Sequence, residues 1–536
     1  METIFTVHNE DLERLNPQEA VDFFRKLLWA EATAGGIGKN LINVPSGIYV
    51  ADGGIDADVR NMRVNAGQGI IKPGLNRYQV KTGNFSLRED SHVKKILFKE
   101  GTTELRPRIK SCLDEGGTFH VVLFGWDNPS IEDDQLVNKF RGKLVSIDRK
   151  YSNAKIEVWQ QNNIVSFLEP YPSLKLELKG ISDLPFLPHK SWSQNEDMKK
   201  ELVKSPDYDQ KMESIREILR STDQARHIRI IGEAGVGKTR FILETTTAED
   251  IAPLVVYTKA NVFIRSSLLI YILREDNPFH VIVIVDECSQ QQRIELWNLL
   301  KNRGSRIKLI TIYNETERRE YGIDYPDVPQ LSIDEVKEII LSYGVPQDHV
   351  DRWAKLAGNS PRFAHMIGIN LKYYPDDILR PVEGIYDRII AGYEDPNSEE
   401  VKRRRRVIRH IALFKRFGHK RPFEDEARAI AKIVEKADKD VTWAKFQEIM
   451  EKFKSQNILQ GENTLYITPK ALHIVMWTEW WDTYGSSFNI DEFLEDVPEN
   501  LQLRDWFHEM FEYARESGVA FDIVERLLGE NGPFLK

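Results

Sequence analysis

Two sets of residues have the types and spacing to do chemistry. The first is Gly232-Glu233-Ala234-Gly235-Val236-Gly237-Lys238-Thr239-Arg240, entered from the apolar run Ile228–Ile231 and left through a helical pattern at Phe241 and Ile242. Backbone N–H groups of a Gly-rich loop can wrap a phosphate when the loop joins a strand to a helix N-terminus, whose dipole favours an anion. Lys238 would reach the β- and γ-phosphates of a nucleotide such as ATP, and the Thr239 hydroxyl would ligand Mg²⁺. About 47 residues on, Val281–Val285 runs into Asp286-Glu287. Asp286 can hold Mg²⁺ and Glu287 can polarise an attacking water, which makes the pair a Walker B motif. The second set is Asp56, Gln79 and Lys81. Oxygen ligands that hold Mg²⁺, beside a lysine that steadies developing negative charge, are what metal-dependent phosphodiester hydrolysis requires. Asp56 and Asp58 share one strand face by the two-residue period, as do Gln79 and Lys81 on the next strand, so either aspartate together with the Gln79 carbonyl could supply those oxygens.

The surrounding pattern supplies elements for both sets. Asn16-Pro17-Gln18-Glu19 opens a helix with a capping box and proline at N1, and the pattern runs to about Thr33 before Gly35-Gly36. Its apolar stripe is Phe24, Leu27 and Leu28, and Glu31 falls in phase with it, where a carboxylate is costly without a partner. Strands are expected at 47–50, about 55–59, 77–81, 119–124 and 155–159, with helices near 91–99 and 132–148. Gly35–Lys39 is a helix C-cap loop and not a second phosphate loop, because it follows a helix and lacks the four-residue spacer.

The prolines in Leu184–Pro188 and the polar stretch 191–207 mark a short linker, and a helix at 208–221 leads into the strand at Ile228. Further strands are expected at 254–257 and 307–313, which places Asn314 at the carboxyl end of a strand. Gly358-Asn359-Ser360-Pro361-Arg362 closes one helix and starts another. A basic helix at 399–414 carries Arg403–Arg406 on every azimuth, so it reads as a solvated, salt-bridged surface. Helices at 422–436 and 442–455 precede a hairpin signal at 458–468, and the tail from Ile490 is helical with anchors Trp506, Phe507, Phe511 and Tyr513. His473 reads as a core histidine.

The chain has 536 residues, 41% of them hydrophobic and 29% charged, so three to four domains are expected. A formal charge of −9 excludes a uniformly basic nucleic-acid binder, though not a local basic cleft. Cys112 and Cys288 are far apart, which argues against a disulfide framework and for a reducing compartment. The N-terminus lacks a signal-peptide pattern, and no apolar run approaches the ~20 residues of a membrane span. A cytoplasmic protein that does not span a membrane is the expectation.

Gly53-Gly54-Ile55-Asp56…Gln79-Val80-Lys81 resembles the PD-(D/E)xK nuclease superfamily, especially Mrr-like defence nucleases with glutamine in place of the usual acid. The resemblance implies that Asp56 is a metal ligand, Gln79 the second ligand position, Lys81 the catalytic lysine and Glu31 the first-helix carboxylate. An amide offers a carbonyl but no charge, so Gln79 departs from the commoner pattern. The Gly358/Pro361 pair resembles the Gly-x-Pro lid motif of STAND-class P-loop proteins with one extra residue, and Arg362 resembles a second sensor arginine. The order of parts resembles bacterial antiviral STAND NTPases of the Avs-like kind, an α/β multidomain architecture. It implies an effector at 1–183, a linker and lead-in helix at 184–221, a P-loop NTPase core at 222–325, a helical lid at 326–398, a winged helix at 399–484 and the start of a sensor repeat array at 485–536. It further implies ATP, Mg²⁺ at both sites, a DNA substrate, a phage-protein trigger through a C-terminal region and homo-oligomerisation when active. The activity expected from it is ATP-gated DNA cleavage in phage defence. A non-cleaving nucleic-acid-binding STAND regulator and an ATP-driven restriction motor are the alternatives.

Overall fold

The computed structural model describes residues 4–44, 55–61, 69–82, 87, 89–125, 133–180, 185–195, 198–274, 279–314, 318–382, 384–461, 463–497 and 502–528. The strand expected at 47–50 and the Gly53-Gly54 bend lie outside them.

Three sheets carry the architecture. The first has the order β1 (Ile42–Asn43), β2 (Ala57–Asn61), β3 (Gly74–Lys81), β4 (Thr118–Leu123), β5 (Lys155–Trp159). β1 to β3 are antiparallel, and β3 to β5 are parallel. Period-two alternation divides β3 between two faces. Tyr78 and Val80 join the core made with helix Pro17–Ala34. Arg77 turns the other way, where its guanidinium donates to Ser111 Oγ (2.9 Å) on helix Pro107–Asp114.

The second sheet has strands β6 (Leu187–Pro188), β7 (Arg226–Ile230), β8 (Val255–Lys259), β9 (Val281–Asp286) and β10 (Ile307–Ile312), in the order β6-β8-β9-β10-β7. All pairs are parallel except β6 with β8. The buried runs of β9 and β10 suit central parallel strands covered on both faces. The stretch expected to be a linker is therefore part of the sheet. Leu187 and Pro188 pair with Tyr257 and Val256 on an edge, where proline costs no ladder bond, and Trp192 stacks on Tyr257 (4.4 Å between centroids).

The third sheet is antiparallel: β11 (Phe417–Gly418), β13 (Thr464–Ile467), β12 (Leu459–Gln460). It shares one hydrophobic core with the helices from Ile333 to the tail, so the segments expected as lid, hairpin unit and tail pack as a continuous body. The tail is held by aromatic contacts, among them Trp481–Phe488 (5.1 Å) and Phe493–Phe507 (4.5 Å). The arginine run is less solvated than expected. Arg403, Arg405 and Arg406 pair with Glu400, Glu479 and Asp438, whereas Arg404 is buried against Glu394 and the Ile390 carbonyl. Four consecutive positions point in different directions, so Arg404 turns inward while Arg403 and Arg406 share Asp438 and Arg405 takes Glu479.

Helix Pro17–Ala34 belongs to the core that spans the first and second sheets. Its capping box forms as read, with Asn16 Oδ1 accepting from Glu19 N (3.0 Å) and Glu19 accepting from Asn16 N (2.9 Å). At its far end the buried Thr33 hydroxyl donates to the Asp250 carbonyl (2.6 Å), just beyond the helix that follows the Gly-rich loop. Thr33→Val keeps the shape and strands that carbonyl, so unfolding free energy should fall by about 1–3 kcal/mol in a denaturant titration.

Candidate functional site

The Gly-rich loop joins β7 to helix Lys238–Thr245. Gly232, Gly235 and Gly237 have φ of +142°, +88° and +93°, backbone that a side chain would strain. At Gly235 a Cβ would also press on Ser360 Oγ at 3.1 Å. Glycine is thus required both for the turn and for the approach of the segment 358–362. Ser360 Oγ and Arg362 N each donate to the Gly235 carbonyl at 3.4 Å. Glu233, Ala234 and Val236 fill the turn between the glycines.

Lys238 is 4% exposed, and its ammonium donates to the Gly232 (2.8 Å) and Glu233 (2.5 Å) carbonyls of its own loop. Burial lowers its pKa to about 8, against the pull of Asp286 and Glu233. Thr239 Oγ1 and the Tyr257 phenol both donate to Asp286 Oδ2 at 3.0 Å, while Asp286 Oδ1 accepts from Glu287 N (2.8 Å). Glu287 has φ +53°, a left-handed conformation that a non-glycine residue adopts only when its surroundings impose it. It pairs with Lys259 at 3.6 Å. Arg240 closes the loop sequence grouped as nucleotide-binding. Its guanidinium donates to Glu244 and to the Met198 and Lys200 carbonyls.

The loop has the form of a P-loop. No protein-family model matches the chain, and no curated protein matches it either. Among solved structures it is similar to C. elegans PCH-2, at 14% identity over 35% of this chain and 70% of that one, with a TM-score of 0.27. It is also similar to Cdc6p from Pyrobaculum aerophilum, at 14% identity over 51% of this chain and 94% of that one, again with a TM-score of 0.27. Likeness at this level carries no functional argument, so the site must be read from its own geometry.

Several residues around the loop come from elements remote in sequence. Arg362 reaches Gln460 on β12 and the Asn457 carbonyl (3.3 Å). Asn314 Nδ2 donates to the Tyr466 hydroxyl on β13 (2.6 Å). Burial, with Glu287 and Asp286 nearby, raises the Tyr466 pKa and keeps its phenol protonated. Lys470 pairs with Glu233 (2.7 Å) and lies over the Tyr513 ring of the tail. Tyr313, at the end of β10, stands between Arg229 and Arg416, whose guanidinium donates to the Tyr313 hydroxyl (2.6 Å). Tyr257, Arg416, Tyr466 and Lys470 carry no motif, so reading the sequence could not find them. His473 is buried with Nε2 against the Ala412 carbonyl (3.0 Å), a core position as read.

In the first sheet, Asp56 Oδ2 accepts from Val80 N (2.7 Å), which sets its carboxylate between Gln79 and Lys81 on β3. Pairing of Ala57 with Tyr78 and Asp58 with Arg77 places Asp56 opposite Gln79 at the next step. Gln79 is 3% exposed, and among the described residues its Oε1 meets no donor. A buried carbonyl oxygen without a partner is costly unless a cation or donor meets it. With the carboxylate of Asp56 it fits Mg²⁺, an ion that takes one or two protein oxygens and fills the rest with water and phosphate. Asp58 is drawn away into an ion pair with Arg108. Among the described residues no group of three or more His, Cys, Asp or Glu is placed to hold a metal.

Glu31 sits elsewhere. Its carboxylate accepts from the Tyr171 hydroxyl and from Ile70 N, and the Ile70 carbonyl accepts from Tyr78. This places Glu31 on the Tyr78 side of the sheet, opposite the face that carries Gln79. Burial raises its pKa. The hydrogen bonds it makes account for a carboxylate on an apolar stripe without recruiting a metal.

Proposed function

We propose that the chain is an ATP-gated, Mg²⁺-dependent DNA endonuclease of antiphage defence. The observation that carries the nuclease half is the unpartnered Gln79 Oε1 beside Asp56 and Lys81. In this reading Asp56 and Gln79 hold Mg²⁺, which supplies a water acidic enough to attack a phosphodiester. Lys81 stabilises the charge that develops on the phosphoryl oxygens.

The second sheet acts as the gate. Lys238 and the loop N–H groups would hold the nucleotide phosphates, Thr239 and Asp286 its Mg²⁺, and Glu287 the attacking water. Arg362, Tyr466 and Lys470 contact this site from the body that carries the third sheet, so its occupancy would change what clamps the loop. The order of parts supports a STAND-type switch with a 326–398 lid, a 399–484 winged helix and a sensor that begins at 485. That order also supports a phage-protein trigger, a homo-oligomeric active state and a cytoplasmic setting. No helix among the described residues is long and apolar enough to cross a membrane.

A plasmid-cleavage assay tests the proposal, with Mg²⁺ or EDTA, with and without ATP, and with infected-cell lysate as the source of a trigger. Metal-dependent nicking is the expected result. The neutral amide at Gln79 and the lack, among the described residues, of a cluster of three acidic, His or Cys side chains favour a second reading, a regulator that binds nucleic acid without cutting. DNA binding with no cleavage under any metal would decide for it.

Gln79→Glu separates a cation site from an inert buried amide. A buried carboxylate without a cation is destabilising, and a charged ligand tightens a divalent ion. The variant should melt below wild type in EDTA and recover with Mg²⁺, binding the ion roughly tenfold more tightly, as one added charge–charge contact implies. An identical melting temperature in both buffers would exclude a metal at Gln79.

A further inference from the structure

A cavity of about 800 Å³ lies at the joint between the first and second sheets, away from both candidate sites. It opens between helix Pro17–Ala34 and the C-terminal end of the helix that follows the Gly-rich loop. Its volume falls within the roughly 300–1,000 Å³ typical of small-molecule sites. Phe23, Trp29 and Leu243 give it apolar walls. Trp29 is 8% exposed, and among the described residues its indole N–H meets no acceptor.

The charges around it do not cancel. Arg25 pairs with Glu249, and both Lys26 and Lys190 lean on Glu177. Glu244 takes Arg240. Glu19 and Asp22 line the same cavity, and among the described residues neither has an ion-pair partner. His189 is kept neutral by burial, with Nε2 on the Leu243 carbonyl. The rim is therefore left with carboxylate in excess above aromatic walls, an environment that favours an organic cation through charge and cation–π attraction.

We propose that this cavity binds a small aromatic amine, with its ammonium at Asp22 and a hydroxyl or ether oxygen accepting from Trp29. Such a ligand would touch helix Pro17–Ala34 and the helix of the nucleotide loop at once. The probe is tyramine, titrated into the full chain by calorimetry, with 4-hydroxyphenylacetate as the same body bearing the opposite charge. Tyramine should bind, and the acid should bind about tenfold more weakly or not at all, as loss of a charge-assisted contact implies. Asp22→Asn, a substitution on the helix surface, should weaken tyramine by about the same factor. Leu178→Trp should fill the cavity and abolish binding, with an unchanged melting temperature showing that the variant folds. Equal binding of both probes, binding of neither, or tyramine affinity unaltered in Asp22→Asn would overturn the assignment.

Discussion

Lys81→Ala is expected to reduce metal-dependent DNA cleavage by roughly 100- to 1,000-fold, the usual cost of removing one preorganised donor from a developing oxyanion. Lys81 stands at the C-terminal end of β3, where its own carbonyl accepts from Phe124 N (2.8 Å), so truncating the side chain leaves the strand paired. Its neighbour Val80 keeps its bond to Asp56, which fixes the carboxylate independently of the lysine. The variant should therefore bind DNA and Mg²⁺ as wild type does while failing to cut. Measured by plasmid nicking, undiminished cleavage would assign the activity to another part of the chain. Loss of DNA binding together with cleavage would make Lys81 an anchoring residue instead.

The second large effect concerns the gate. Lys238→Ala removes a charge-assisted contact to nucleotide phosphates, and a loss of about 10- to 100-fold in ATP affinity follows from the 1.5–3 kcal/mol such bonds contribute. Its pH dependence is more diagnostic. Burial lowers the Lys238 pKa to about 8 from its ordinary 10.5. Above pH 8 the lysine of the nucleotide-free protein is largely neutral, and binding a polyanion must then take up a proton. Affinity should fall by up to about tenfold per pH unit above 8, and calorimetry in two buffers should register that proton uptake. Stability moves the other way. Between about 8 and 10.5 the unfolded chain binds the extra proton, so this group makes the nucleotide-free protein more stable as pH rises across that window. An ATP affinity flat from pH 7 to 10 would show that Lys238 keeps its ordinary pKa or does not meet the phosphates.

Much of the candidate nucleotide site was readable because it is local. A strand, a glycine turn and a helix follow one another between Arg226 and Thr245, and the same few residues dictate both conformation and chemistry. The Pro17 capping box is local in the same way. The shared faces of Asp56 with Asp58 and of Gln79 with Lys81 needed only the two-residue period along a strand, and continuing the β2–β3 register by one step sets Asp56 opposite Gln79. Glu31 shows where such reading stops. Its phase on the helix revealed a carboxylate on a buried stripe, but the partner is Tyr171, 140 positions away, and no periodicity names it.

What only the tertiary structure decided is the setting of each site. Lys470 and Glu233 are 237 positions apart, and Tyr466 and Asn314 are 152 apart, so their meeting depends on how the body carrying the third sheet docks on the second sheet. Two prolines in Leu184–Pro188 read as a linker because proline breaks pairing, yet at the edge of a sheet its missing N–H faces no strand, and β6 forms there. Arg404 read as solvated from its neighbours, and burial against Glu394 followed from packing alone. The sequence by itself determined which residues could cradle a phosphate or hold a metal, because those requirements are short-range. Which groups are left unpartnered, clamped or enclosed was decided by burial, since that is a property of the whole packed chain.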